Sequence, residues 1–90
     1  MILLQHNKGY SMKLTKAISI RIKELLKTKN LTQYKLSQLS GVPQSTISVI
    51  LKGELQTIKL STIYAICIGF EIELSEFFDY DKLKIENIED

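Results

Sequence analysis

Four side chains within one short stretch carry recognition chemistry: Gln44, Ser45, Ser48 and Val49. A glutamine carboxamide accepts from adenine N6 and donates to N7 at once, valine packs on a thymine methyl, and serine bonds either a base or a phosphate. At i, i+1, i+4 and i+5 they share one side of a helix. Arginine is absent from this face before Lys52, so the usual bidentate contact to guanine is missing and an A·T-leaning target is expected. Catalytic chemistry has much less to work with. His6 is the only histidine, in a polar N-terminal segment with no second ligand nearby, so neither a metal site nor a Ser/His/Asp or Cys/His set is expected. A glycine-rich phosphate loop is also missing, and the carboxylates crowd into the C-terminal third as solvated surface. No cofactor and no enzymatic activity are expected.

The elements that must hold these side chains lie in residues 31–53, LTQYKLSQLSGVPQSTISVILKG. Residues 33–40 read as a helix with Leu36 and Leu39 as its apolar stripe and Thr32 at the N-cap, its hydroxyl able to accept an early backbone N–H. Gly41 breaks the run where a tight turn needs positive φ. A second helix is expected over 43–52, with Ile47, Ile50 and Leu51 on its buried side and Gly53 in the left-handed position after it. Ser37 is the small residue expected where the two helices touch, and Val42 fills the space under the turn. Leu36, Ser37, Gly41, Val42, Ile47 and Ile50 thus each meet a separate steric demand of a helix-turn-helix. An ordinary helical hairpin would also satisfy some of them.

Flanking segments extend the helical pattern. Ile18, Ile22, Leu25 and Leu26 recur at i, i+4, i+7, i+8 in a helix expected over 15–29, followed by Asn30 at the left-handed cap position. Downstream, 60–70 reads as a helix whose inner face is Leu60, Ile63, Ile66, Cys67 and Phe70, and 74–78 as a short one anchored by Phe77 and Phe78. Tyr64 and Ile68, four apart and off that inner face, are expected to mark a partner surface. Residues 1–13 show no helical periodicity and read as an extension in which the apolar Ile2, Leu3 and Leu4 have no evident place to pack. In the acidic tail 79–90 the alternation around Lys82–Ile85 fits a strand, which would need pairing; an acidic frayed end is the other reading.

This stretch resembles the phage repressor/Cro-like helix-turn-helix family, also called Xre, over about residues 16–78. The resemblance implies an all-α domain of five helices at 14–78, acting as a homodimeric transcription regulator on double-stranded DNA with helix 43–52 in the major groove. Carried onto this chain, it implies base contacts from Gln44, Ser45, Ser48 and Val49. Thr32, Gln33, Thr46, Lys52 and Lys59 are then the phosphate contacts. Three positions depart from the family pattern. Leu26 and Leu51 stand where many relatives pair a buried Arg with a Glu, and are expected to touch, since replacing both partners of a buried pair by apolar groups is tolerated. Pro43 stands where relatives often cap with Ser or Thr, and suits the first helical position. Glu71 stands where a Gly often ends the fourth helix, a strained place for a side chain.

Composition agrees with one small helical domain. The chain has 90 residues, 44% of them hydrophobic, and a net charge of +2. That small sum hides a split: residues 1–59 hold ten Lys or Arg against two acids, net +8, and residues 60–90 hold two against eight, net −6. The basic half contains the motif, as attraction to phosphate requires, although a solvated basic surface would look the same in isolation. Cys67 has no partner for a disulfide and reads as a small core residue rather than a redox switch. The chain has no apolar run of about 18 residues for a membrane span, and its start does not read as a secretory leader, so the cytoplasm is the expected compartment. The competing function is a protein-interaction module of the same fold, such as the antitoxin half of a toxin–antitoxin pair, supported by the acidic third and the Tyr64/Ile68 pair.

Overall fold

The computed structural model describes residues 12–90, so Ile2–Leu4, His6 and most of the expected extension lie outside the described residues. Five helices follow in order: α1 (Leu14–Thr28), α2 (Gln33–Ser40), α3 (Gln44–Leu51), α4 (Leu60–Phe70) and α5 (Leu74–Phe78). The domain is all-α, with the helix-turn-helix α2–α3 at its centre.

Local chemistry sets the boundaries. Thr32 caps α2 by accepting the Lys35 N–H at 3.0 Å. The α1 end is closed by Asn30 at φ 56°, with Asn30 N–H donating to Lys27 O (3.1 Å) and Leu31 N–H to Leu26 O (2.8 Å), the paired bonds of a Schellman cap. Gly41 ends α2 at φ 78°. A Cβ there would meet nothing within 4 Å, so glycine is required by its dihedral alone.

The α3 start differs from expectation. Pro43 is the N-cap, not the first helical residue: its ψ is 143°, extended, and its carbonyl accepts the first helical bond from Ile47 N–H at 3.1 Å. Proline carries no side-chain acceptor, so α3 begins without a side-chain cap and runs Gln44–Leu51 rather than 43–52.

Glu71 does adopt the left-handed conformation, at φ 61°, with Ile72 N–H bonded to Cys67 O at 3.0 Å. A side chain in that region costs about 1–2 kcal/mol relative to glycine. Glu71 is exposed, so removing its side chain sacrifices no packing. Glu71→Gly is therefore expected to stabilise the domain by about 1 kcal/mol and raise the thermal midpoint by about 4–8 °C. An unchanged or lower midpoint would mean that the Glu71 side chain makes contacts that offset the strain.

The core joins Ile18, Ile22 and Leu25 of α1, Leu36 of α2, Ile47, Ile50 and Leu51 of α3, and Ile63, Ile66 and Phe70 of α4. Leu26 is half-buried against this cluster, which includes Leu51. Helices α2 and α4 meet at Gly69, where a Cβ would lie 2.9 Å from Ser40 Cβ and 3.0 Å from Leu36 Cδ1. The small residue of that crossing is in α4. Three apolar positions expected inside face outward: Leu39 (47% exposed), Leu60 (62%) and Phe78 (39%). Leu36 alone buries α2, and Phe77 anchors α5 with Phe78 edge-on against it at 5.1 Å.

Residues after α5 form no strand. They make two 3-10 turns, Asp81–Leu83 and Ile85–Asn87, and return to the start of α1 through one isolated parallel bridge between Met12 and Ile88. Lys84 follows one turn and precedes the other, which breaks the alternation into two short coils. Arg21, the chain's only arginine, ties this end down. Its guanidinium donates to Phe77 O (2.9 Å) and Glu76 O (2.8 Å), pairs with Glu24 (2.9 Å) and lies 4.8 Å from the Tyr80 ring centre. A planar fork of donors suits two adjacent backbone carbonyls at the end of α5 better than an ammonium would.

Candidate nucleic-acid interface

Burying Ile47, Ile50 and Leu51 turns the rest of α3 outward. At about 100° per residue, Ser45, Ser48, Val49 and Lys52 fall on the side opposite the core, with Gln44 and Thr46 on its two flanks in the first turn. All six are exposed, and Val49 is 42% accessible although apolar. Thr32 and Gln33 are exposed at the start of α2, and Lys59 precedes α4. The Thr32 oxygen already accepts the Lys35 N–H, which leaves its own proton free to be donated. Backbone N–H groups at the starts of α2 and α3, near the exposed Thr32, Gln33 and Gln44, are of the kind that suits phosphate.

The turn between the helices is braced by two serines. Ser37 Oγ donates to Val42 O at 2.7 Å, and Ser40 Oγ accepts from Val42 N–H at 3.1 Å. Both backbone groups of the buried Val42 are thereby satisfied, which fixes the angle at which α3 is presented. Sequence reasoning assigned Ser37 only a small-residue role and missed Ser40. Two polar groups three residues apart, just before a helix-ending glycine, were the available clue. Outside the α3 face, Gln38 Nε2 donates to Tyr34 Oη at 3.0 Å across one turn of α2, with both side chains exposed.

Cys67 is buried, and burial pushes its thiol up, with Arg21 lowering and Glu76 raising it further. It remains protonated at neutral pH and contributes to the core, not to the surface. Among the described residues no three His, Cys, Asp or Glu side chains come together as a metal-holding group, and no helix is long and apolar enough to cross a membrane.

Fold and exposed face together define a helix-turn-helix DNA-binding transcription regulator. The chain belongs to the Cro/C1-type HTH DNA-binding domain family, which matches residues 21–82. It is 30% identical over 64 residues to the uncharacterized HTH-type transcriptional regulator YozG of Bacillus subtilis (strain 168), covering 71% of this chain and 76% of that one. Among solved structures it is similar to the restriction-modification controller protein C.Esp1396I, there a tetramer in complex with its natural 35 base-pair operator (26% identity, 73% of this chain, 86% of that chain, TM-score 0.69). It is also similar to the controller protein C.AhdI from Aeromonas hydrophila (31% identity, 72% and 96% coverage, TM-score 0.63). The family is one of DNA-binding regulators and not an enzyme class.

Proposed function

We propose that this regulator binds its operator as a homodimer, with α3 in the major groove, acting in the cytoplasm. The observation that carries the reading is the outward face of α3. Gln44, Ser45, Ser48 and Val49 offer hydrogen-bonding and methyl-packing groups without a single charge until Lys52. Such a face reads base edges rather than merely attracting phosphate. Thr32, Gln33, Thr46, Lys52 and Lys59 are the backbone contacts that set register. Lacking arginine, the face favours A·T pairs.

The dimer reading rests on α4. Leu60 (62% exposed), Tyr64 (55%) and Ile68 (54%) form an outward stripe at i, i+4, i+8. The whole helix, LSTIYAICIGF, carries no charge. Two copies of an uncharged helix can approach about a two-fold axis without repulsion, and a two-fold dimer matches a palindromic site. Selection of bound sequences from random duplex DNA at two salt concentrations tests both parts. The expected result is a palindrome with half-sites about 10 bp apart and a steep loss of binding with salt. Weak binding with no enriched sequence would defeat base reading by α3. It would favour a protein-interaction module, for which the α4 stripe would be the docking face for a partner such as a toxin.

For the stripe itself, Tyr64→Glu is expected to convert a sedimenting dimer into a folded monomer that no longer distinguishes a palindrome from a half-site. A Tyr64→Glu chain that still sediments as a dimer would remove α4 from the interface.

A further inference from the structure

We propose that Lys16 of α1 is a further DNA-backbone contact, carried to the flank of the recognition helix by the absence of a side chain at Gly53. The inference rests on the docking of α3 proposed above, and concerns a residue outside the helix-turn-helix. Two contacts pin the first turn of α1 to the segment after α3. The Thr15 hydroxyl donates to Leu55 O, and the Lys16 stem passes over Gly53. A Cβ on Gly53 would lie 2.8 Å from Lys16 Cδ, 2.8 Å from Ser19 Oγ and 3.5 Å from Lys16 Nζ. Ser19 is fully buried, with its hydroxyl committed to Lys16 O at 2.8 Å, so it cannot simply swing aside. Gly41 ends α2 at a similar φ and a Cβ there would touch nothing within 4 Å. The crowding at Gly53 is therefore not a general consequence of ending a helix; it comes from the first turns of α1, through both Lys16 and Ser19.

The Lys16 ammonium thus lies close to Gly53, just past the end of α3 and next in sequence to Lys52. Among the described residues the ion pairs are Arg21–Glu24 and Lys84–Asp81, and Lys16 is in neither. The one acid adjacent in sequence, Glu54, is exposed and forms no ion pair with it. With α3 in the groove, its C-terminal end and the following loop run beside the phosphate backbone. A lysine there acts as a mobile point charge on a flexible stem, contributing affinity without sequence preference. A purely structural role also exists: a cation near the negative end of α3 complements the helix dipole. The two roles differ in how they respond to salt.

The test compares the full-length wild type with Lys16→Gln, Lys16→Arg and, as a control in the acidic C-terminal segment, Lys82→Gln. Binding to the selected duplex and to an unrelated duplex is followed across salt concentration, with thermal midpoints recorded for each protein. Releasing one counterion fewer lowers the slope of log affinity against log salt by about 0.9, or about eightfold in affinity at 0.1 M relative to 1 M salt. Lys16→Gln is expected to show that loss on both duplexes, with an unchanged preferred sequence. Lys16→Arg should restore the slope, and Lys82→Gln should match the wild type. A Lys16→Gln chain with a lowered thermal midpoint but the wild-type slope has lost only a helix cap, and overturns the proposal. So does a wild-type slope with no change in midpoint. A wild type that binds neither duplex would overturn the DNA-docking reading along with it, which separates the two failures.

Discussion

Phe70→Ala is expected to lower stability by about 3–5 kcal/mol, the usual result of truncating a buried phenylalanine. Phe70 is 2% exposed and ends α4 next to Gly69, the residue on which α2 and α4 cross. Removing the ring opens a cavity where the motif's first helix is supported. A domain of this size has a total stability of about 5–15 kcal/mol, so the loss takes a large part of it. The thermal midpoint should fall by at least about 12 °C, at about 4–8 °C per kcal/mol. DNA affinity should fall in parallel as temperature rises, because α4 holds α2 in the orientation that presents α3. Thermal and urea unfolding measure the change. A loss below about 2 kcal/mol, under the range for such truncations, would mean that the neighbouring side chains collapse into the space and that the α2–α4 crossing tolerates adjustment.

Gln44→Ala is expected to act on binding alone. Gln44 opens α3 and is exposed, and its side chain makes no hydrogen bond to the rest of the domain among the described residues, so the thermal midpoint should hold. Losing a bidentate base contact costs about 1–3 kcal/mol, or about 5- to 150-fold in specific affinity. The preference at one position of the half-site should relax, while binding to unrelated duplex and the salt dependence remain those of the wild type. Selection from random duplex with both proteins makes the comparison. An unchanged preferred sequence would remove Gln44 from the reading face and leave Ser45, Ser48 and Val49 to carry specificity. Substitution at Gln44 should alter sequence preference at constant salt slope, and substitution at Lys16 the slope at constant preference.

Much of the domain is legible before any tertiary contact is considered. The spans of α2, α4 and α5 follow from apolar spacing and end signals, because those depend on residues within one or two turns. Gly41, Gly53 and Asn30 fall at positive φ for the same local reason. The outward face of α3 could be listed in advance because burying Ile47, Ile50 and Leu51 leaves only one side free. The charge division, too, is a property of composition along the chain.

Other features depend on packing between distant segments. Leu60 fits the inner periodicity of α4 as well as the outer one; only the placement of α2 and α1 decides that it joins Tyr64 and Ile68 on the surface. Gly69 is unremarkable until Ser40 and Leu36 approach it across the helix crossing. Arg21 reads as one more cation on α1 until the end of α5 brings two backbone carbonyls and the Tyr80 ring to it. Lys16 likewise lies more than thirty residues from Gly53 and acquires a place beside α3 only when α1 folds against the loop. Helix periodicity, capping and net charge are short-range or additive, so the sequence by itself determined the five helices, most of their ends and the exposed face of α3. Close approach, brace and clamp require two surfaces to meet, and the tertiary structure alone decided which side chains those surfaces share.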